Sequence, residues 1–167
     1  MHAKSHHFII PTVAVTVAVL GAIFTELGMA WYLSALTLPS ITPPDWIFPI
    51  VWTVIYIMVA GAAFIIWHEG PKKVFHLFAT PHSRGEYRLL QWLFAINAFL
   101  NLLWILLFFT FHAISLAAVE IVLLEISIIA MVAFAWKISK IASYILMPYA
   151  AWVLFAAYFS MRIAFLN

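Results

Sequence analysis

The chain has no cysteine and very little charge. The first absence rules out disulfides and thiol chemistry, and it leaves the redox compartment unread. The second is more informative. Only 8% of the 167 residues are charged, where a soluble domain carries about a quarter. So few charges cannot cover a water-facing surface. A net charge of +2 is also too small for a nucleic-acid partner. Alternation of apolar and polar residues is missing, which argues against a membrane barrel. Internal repeats and low-complexity tracts are absent too. No two histidines stand at i, i+4 within an apolar run, and His6-His7 lie near the terminus. With no phosphate loop and no catalytic triad either, the chain has no metal ligands to name and calls for no cofactor.

What is present is apolar: 67% of the chain. Five runs stand out, at about residues 8–29, 47–67, 89–111, 113–136 and 141–166. Each supplies the roughly 20 residues that a helix needs to cross about 30 Å of hydrocarbon. The expected fold is all-α, a polytopic membrane protein whose single domain over residues 1–167 is a bundle of five transmembrane helices. The first run ends in Gly28-Met29-Ala30, which loosely resembles a cleavage site, but it is long for a signal peptide and reads as a span. Seven of the eight basic residues fall on one side: Lys4, then Lys72, Lys73, Arg84 and Arg88, then Lys137 and Lys140. The opposite side has only Arg162. Positive-inside bias therefore puts the N-terminus in the cytoplasm and the first loop outside. Trp67, Trp92 and Trp136 sit at helix ends on the basic side and read as interfacial anchors. A polar second loop is expected at about 69–88.

The segment Thr42–Tyr56, T-P-P-D-W-I-F-P-I-V-W-T-V-I-Y, crowds three prolines and two tryptophans at the mouth of the second run. Pro43-Pro44 cannot continue a helix from the loop. Asp45 or Trp46 suits the N-cap region, and Pro49 falls where a missing N–H costs least. The prolines thus fix where the chain enters the bilayer, but they leave the aromatics unexplained. At about 1.5 Å per residue, Trp52 lies about 8 Å below the outer interface and Trp104 about 10 Å. Trp31, Tyr32 and Trp46 sit at that interface, and Trp152 lies near mid-membrane. Asn97, Asn101, Trp104 and Phe108 share one face of the third helix, and Tyr149, Trp152 and Ala156 one face of the fifth. Pro148 predicts a kink there. Glu120 lies level with Trp52 and Trp104, Glu125 near the midplane. Intramembrane carboxylates are expensive and should face protein or water. Aromatic walls with few polar groups, meeting at one depth, suit a pocket for a flat, mostly apolar ligand.

These residues resemble the TspO/translocator protein family of tryptophan-rich sensory proteins. The likeness runs from Trp31-Tyr32, Pro39 and Pro43-Pro44 through F-P-I-V-W-T-V-I-Y, N-L-L-W-I-L-L-F-F (Asn101–Phe109), A-V-E (Ala118–Glu120) and P-Y-A-A-W-V-L-F-A (Pro148–Ala156), so it touches all five runs in order. It implies a five-helix bundle with a ligand cavity closed by the first loop. It implies binding of porphyrins such as protoporphyrin IX or haem, and of sterol-like or synthetic aromatic ligands. By the resemblance that cavity is lined by Trp31, Tyr32, Pro43, Pro44, Phe48, Trp52, Asn101, Trp104, Tyr149 and Trp152. Position alone adds Tyr56, Phe108 and Glu120. Three departures stand out. Ile41 replaces a frequent tryptophan, Asn97 a frequent glutamine, and Phe159-Ser160 a frequent Leu-Asn. Leu154, Tyr158 and Arg162 match a loose sterol-binding pattern, in which Arg162 also suits a snorkelling end-anchor.

The leading functional expectation is a membrane sensor or carrier for tetrapyrroles or sterol-like molecules. An alternative is a light-dependent porphyrin-degrading enzyme with Trp52 and Trp152 as its reactive groups. A second is a proton-coupled transporter using Glu120 and Glu125. Expected partners are the lipid bilayer, the small-molecule ligand and a second copy of the chain in a homodimer. Ala14, Ala18 and Ala22 on the first helix, or the cluster Ala60 to Ala63 on the second, offer small faces for close approach. The resemblance favours the third helix instead, which offers Ala95 and Ala98. A bacterial inner membrane is expected, with a mitochondrial outer membrane as the alternative.

Overall fold

The structure is a computed structural model and describes residues 6–76 and 81–167. It consists of five long helices: α1 (His6–Ala35), α2 (Ile47–His76), α3 (Pro81–Ile105, continued by a π-helical turn Leu106–Thr110), α4 (Ile114–Ile138) and α5 (Lys140–Leu166). All five are long and apolar enough to cross a membrane. The side chains that a soluble core would hide are on the outside. Val119, Leu123, Ile126 and Ile129 of α4 are all more than half exposed, as are Leu154 and Phe165 of α5. Such a belt is tolerable only where the solvent is itself apolar.

The helices run past the ends of their apolar stretches. Ala30–Ala35 holds no breaker, so α1 continues until the chain approaches Pro39, and Trp31 and Tyr32 are helical rather than part of the loop. The expected loop at 69–88 is largely helix, since α2 extends to His76 and α3 begins at Pro81. Lys, Glu, Arg and Leu are good helix formers, and the backbone loses nothing by staying hydrogen-bonded as it leaves the bilayer. Pro81 opens α3 at the position where its missing N–H is harmless. At the start of α2, Ile47 N–H donates to Pro44 O at 2.9 Å and Phe48 N–H to Asp45 O at 3.3 Å, so helical turns take over directly after the Pro-Pro pair.

The neighbour contacts close a ring in the order α1, α2, α5, α4, α3. The core is not evenly shared. Half of the apolar stretch of α4 is buried, against 11% of that of α1. Three stacked clusters make up the interior: Ala62, Ile66, Leu90, Met131, Ala142 and Leu146 at one end, Ile55, Ile121, Leu124, Ile128, Tyr149 and Val153 in the middle, and Tyr32, Phe108, Ala117, Phe159 and Ile163 at the end that carries the first loop. Of α1, only Tyr32 belongs to a cluster's buried set. This helix leans on the others instead of filling the core, and space remains beside it.

The basic residues whose side chains are described agree with a sided bundle. Arg84, Arg88, Lys137 and Lys140 are exposed, and Lys137 pairs with Glu86, which ties the base of α3 to the end of α4. Lys140 lies over the Trp136 ring at 5.7 Å. Lys4 lies outside the described residues, as do the side chains of Lys72 and Lys73.

Candidate functional site

A cavity of about 340 Å³ lies toward the first-loop end of the bundle, walled by α1, α2, α3 and α5. Its α1 wall is a stripe of mostly small side chains: Ala18, Gly21, Ala22 and Thr25, then Glu26, Met29 and Tyr32. The spacing of three and four keeps them on one helical face. Their small size leaves the volume that larger residues would fill. Gly21 is a tight point, because an added Cβ would lie 3.0 Å from Ile105 Cδ1. At Gly28 a Cβ would collide with the Phe109 carbonyl and side chain. That glycine therefore sets how closely α1 can approach the end of α3.

The opposite walls are aromatic. Trp52 stacks on Tyr56 at 5.7 Å, one turn further along α2. Trp104 stacks on Phe108 at 5.3 Å, and Trp152 meets Phe48 edge-on at 6.0 Å. All six side chains line the cavity. The π-helical turn decides part of this wall. Phe111 N–H donates to Leu106 O, five residues back, and Ala113 N–H to Leu107 O. The extra residue in the turn lets both Phe108 and Phe109 line the cavity from adjacent positions. His112 then takes a left-handed conformation, φ 53°, and reverses the chain into α4. Histidine is among the side chains that enter this region more readily than most.

Of the residues singled out from sequence, Tyr32, Phe48, Trp52, Tyr56, Trp104, Phe108 and Trp152 come together here. The others are placed elsewhere. Trp31 lines no part of the cavity; its ring stacks on His112 at 3.8 Å and packs edge-on to Phe108. A residue next to Tyr32 on a helix points about 100° away, and once α1 extends through both, only one can face inward. Pro43 and Pro44 shape the loop without lining the cavity, to which that loop contributes only Asp45. Glu120 and Glu125 are buried, 5% and 8% exposed, within the packing of α4, and line neither this cavity nor the next. Both Glu120 oxygens and one Glu125 oxygen have no hydrogen-bond partner. Leu154, Tyr158 and Arg162, four residues apart, share an exposed outer face of α5 away from the cavity.

Asn101 and Tyr149 belong to a separate polar knot. Asn101 Nδ2 donates to the Tyr149 hydroxyl at 2.6 Å, Tyr149 donates to Asn97 Oδ1 at 3.2 Å, and Asn97 Nδ2 donates to Ser127 Oγ at 3.0 Å. This chain joins α3, α4 and α5. It borders a second space of about 190 Å³ between α1, α2 and α3, lined also by Trp67 and by Ala14, Ala60, Ala63, Ala95 and Ala98. Trp67 is thus more than an interfacial anchor, since it packs edge-on to Phe94 at 5.5 Å inside the bundle. The small faces proposed for dimer contact on α1 and α2 are largely spent on these two cavities.

The sequence reading missed Glu26, Thr25, Phe109, Phe159 and Ser160 as lining residues. Glu26 had a signal: it is a lone acid inside an apolar run, where a carboxylate calls for a reason. Phe159 and Ser160 stand at one of the noted departures from the family pattern.

The comparisons agree with this architecture. Residues 9–166 match the TspO/MBR family. The tryptophan-rich protein TspO of Chlorobaculum tepidum is 40% identical over 148 residues, covering 88% of this chain and 86% of that protein. A protein of the same name from Archaeoglobus fulgidus is 30% identical over 147 residues, covering 88% and 87%. The translocator protein of Sus scrofa is 31% identical over 131 residues, covering 78% and 70%. With a match along nearly its whole length and an aromatic cavity inside five membrane-spanning helices, the chain belongs to the TspO/MBR family.

Proposed function

We propose that this integral membrane protein binds a flat, mostly apolar ligand of the tetrapyrrole or sterol-like class in the aromatic cavity and acts as its sensor or carrier. The observation that carries the reading is the convergence of Trp52, Trp104 and Trp152 from three helices on one ligand-sized space. Three indoles from separate helices give an extended apolar surface on which a large ring system can stack. The relatives named translocator protein add weight to the carrier side of the reading. We further propose a cytoplasmic N-terminus in a bacterial inner membrane, from the one-sided distribution of basic residues. The cavity then opens in the outer half of the bilayer.

The test is a fluorescence-quenching titration with protoporphyrin IX on detergent-purified protein. Loss of one stacking wall should weaken binding of the Trp52→Ala variant by about tenfold or more. Trp92→Ala changes an exposed residue outside both cavities and should leave binding unaltered. Equal affinity in all three proteins, each shown to be folded by circular dichroism, would remove the cavity as the binding site. Repeating the titration under illumination addresses the degradative alternative: light-dependent loss of the porphyrin spectrum that requires Trp52 or Trp152 would make the protein an enzyme.

A further inference from the structure

The smaller space is open to lipid on one side. Ile9 and Val13 of α1 line it and are 58% and 44% exposed, and Ala95 of α3 is a further exposed member of the lining. Its inner wall is closed by the buried residues Val17, Ala63, Asn97 and Tyr149. It is therefore a crevice in the flank of the bundle rather than a sealed void. Along α3 the lining runs from Gln91 to Asn101. That length of helix rises about 15 Å, half of the roughly 30 Å of hydrocarbon in a bilayer. Trp67 and Gln91 mark the base of the crevice at the basic end of the molecule, and Tyr56, Asn101 and Tyr149 mark its top near the midplane. The crevice thus spans one leaflet.

The charge below it is positive. On α3 the lining residues Ala98, Ala95 and Gln91 are followed toward the basic end by Arg88 and Arg84, and spacings of three and four keep them all on one face. Both arginines are exposed. Side chains tilt toward the N-terminus of their helix, so from α3 these two lean out to the membrane surface beneath the crevice. The nearby acids are turned elsewhere. Glu86 pairs with Lys137, and Glu69 stands two positions past the lining residue Trp67, about 200° round α2 from it. We propose that the crevice between α1 and α3 holds one acyl chain of an anionic phospholipid from the leaflet at the basic end, with the lipid phosphate on Arg88 and Arg84. A gap that opens to the bilayer core meets hydrocarbon, so its occupant is a chain. Guanidinium groups bind phosphate oxygens closely, and the ammonium of a zwitterionic headgroup would offset that attraction. Basic pockets beside transmembrane helices are sites of this kind. The chain supplies packing to α1, the helix that the protein core holds least, whatever ligand the aromatic cavity takes.

Native mass spectrometry of the detergent-purified protein tests this, with palmitoyl-oleoyl phosphatidylglycerol and the phosphatidylcholine of the same chains competing at equal concentration. The parent should retain phosphatidylglycerol over phosphatidylcholine by about fivefold or more. The double variant Arg84→Gln/Arg88→Gln should bring that preference close to parity. Lys140→Gln, which removes an exposed charge at the same end from α5, should keep it. Ala98→Phe fills the crevice and should lower retention of both lipids. Circular dichroism first shows each variant to be folded. A second measurement leaves the arginines intact: phosphatidylglycerol brominated along its chains should quench a larger fraction of the emission in the parent than in Trp67→Phe, because Trp67 lines the crevice. Equal retention of the two lipids by the parent overturns the proposal. So does a preference lost as fully in Lys140→Gln as in the double variant, which would leave only general surface charge. Unaltered retention in Ala98→Phe, or equal quenching in the parent and Trp67→Phe, places the chain outside the crevice and overturns it as well.

Discussion

Tyr149 is 1% exposed, yet its hydroxyl is doubly engaged, accepting from Asn101 and donating to Asn97. In lipid the alternative to such a bond is a polar group with no partner, although hydrogen bonds within membrane bundles average only about 0.6 kcal/mol. Tyr149→Phe removes the shared partner of two buried amides, so the cost should exceed that average, at about 1–2 kcal/mol. Thermal unfolding in detergent should show the loss. Porphyrin affinity should stay within about twofold, because Tyr149 lines the smaller space and not the aromatic cavity. A large fall in affinity with unchanged stability would mean that the knot belongs to the ligand site. The contrast with Trp52 is one of position: both are aromatic residues on inward faces, but Tyr149 engages its hydroxyl in the polar knot beside the smaller space, whereas Trp52 borders the aromatic cavity.

At the scale of the element, the first loop is held as much by the far end of the chain as by its own prolines. Asn167 Oδ1 accepts from Thr37 N–H at 2.8 Å, and its Nδ2 donates to Thr37 O at 3.2 Å, a reciprocal pair across 130 residues. The same Nδ2 donates to Ile163 O at 2.9 Å, which anchors the amide to α5. Within the loop, Thr42 caps the turn through both its N–H and its hydroxyl to Pro39 O. The prolines stiffen the segment and Asn167 fixes where it sits. Asn167→Ala should therefore loosen the loop that carries Asp45 while leaving the bundle intact. Stopped-flow quenching should show porphyrin leaving about three- to tenfold faster, for the loss of roughly 1 kcal/mol of exposed hydrogen bonding. The melting temperature should change little. An unchanged off-rate would mean that the loop does not close the cavity.

For the whole molecule, the ring of helices leaves α1 loosely seated and its small residues facing the cavities, so a homodimer built on Ala18 and Ala22 would have to close the ligand space. We expect a homodimer to use α3 instead, where Trp92, Ile96 and Phe99 form an exposed stripe. The absence of native cysteine makes this directly measurable. Phe99→Cys should cross-link with a short bifunctional thiol reagent in native membranes, whereas Leu154→Cys, equally exposed on α5, should not. Cross-linking at Leu154 alone would move the interface to α5, and cross-linking at neither would count against the dimer.

Composition and apolar run length determined by themselves that this chain crosses a membrane five times as helices, because a backbone in hydrocarbon has few other ways to satisfy its hydrogen bonds. The same information placed Trp52, Trp104 and Trp152 at inward positions, since helical spacing converts sequence separation into a shared face. It could not determine helix ends, which is why Glu69 to Arg88 read as a loop and Trp31 as a lining residue. Hydropathy reports where lipid begins, and a helix continues beyond that point at no cost when no breaker follows. Nor could it tell which of the two spaces an inward residue borders. Asn101 Nδ2 and the Tyr149 hydroxyl bond each other beside the smaller space, with Asn101 Oδ1 left without a partner, whereas Tyr32, Trp104, Trp152 and Ser160 line the larger cavity and leave their side-chain polar atoms unmet. That distinction depends on how α1 leans against α2 and α3, and on the extra residue in the π-helical turn that sets Phe108 and Phe109 side by side. These are packing outcomes between helices distant in sequence, and only the tertiary structure decided them.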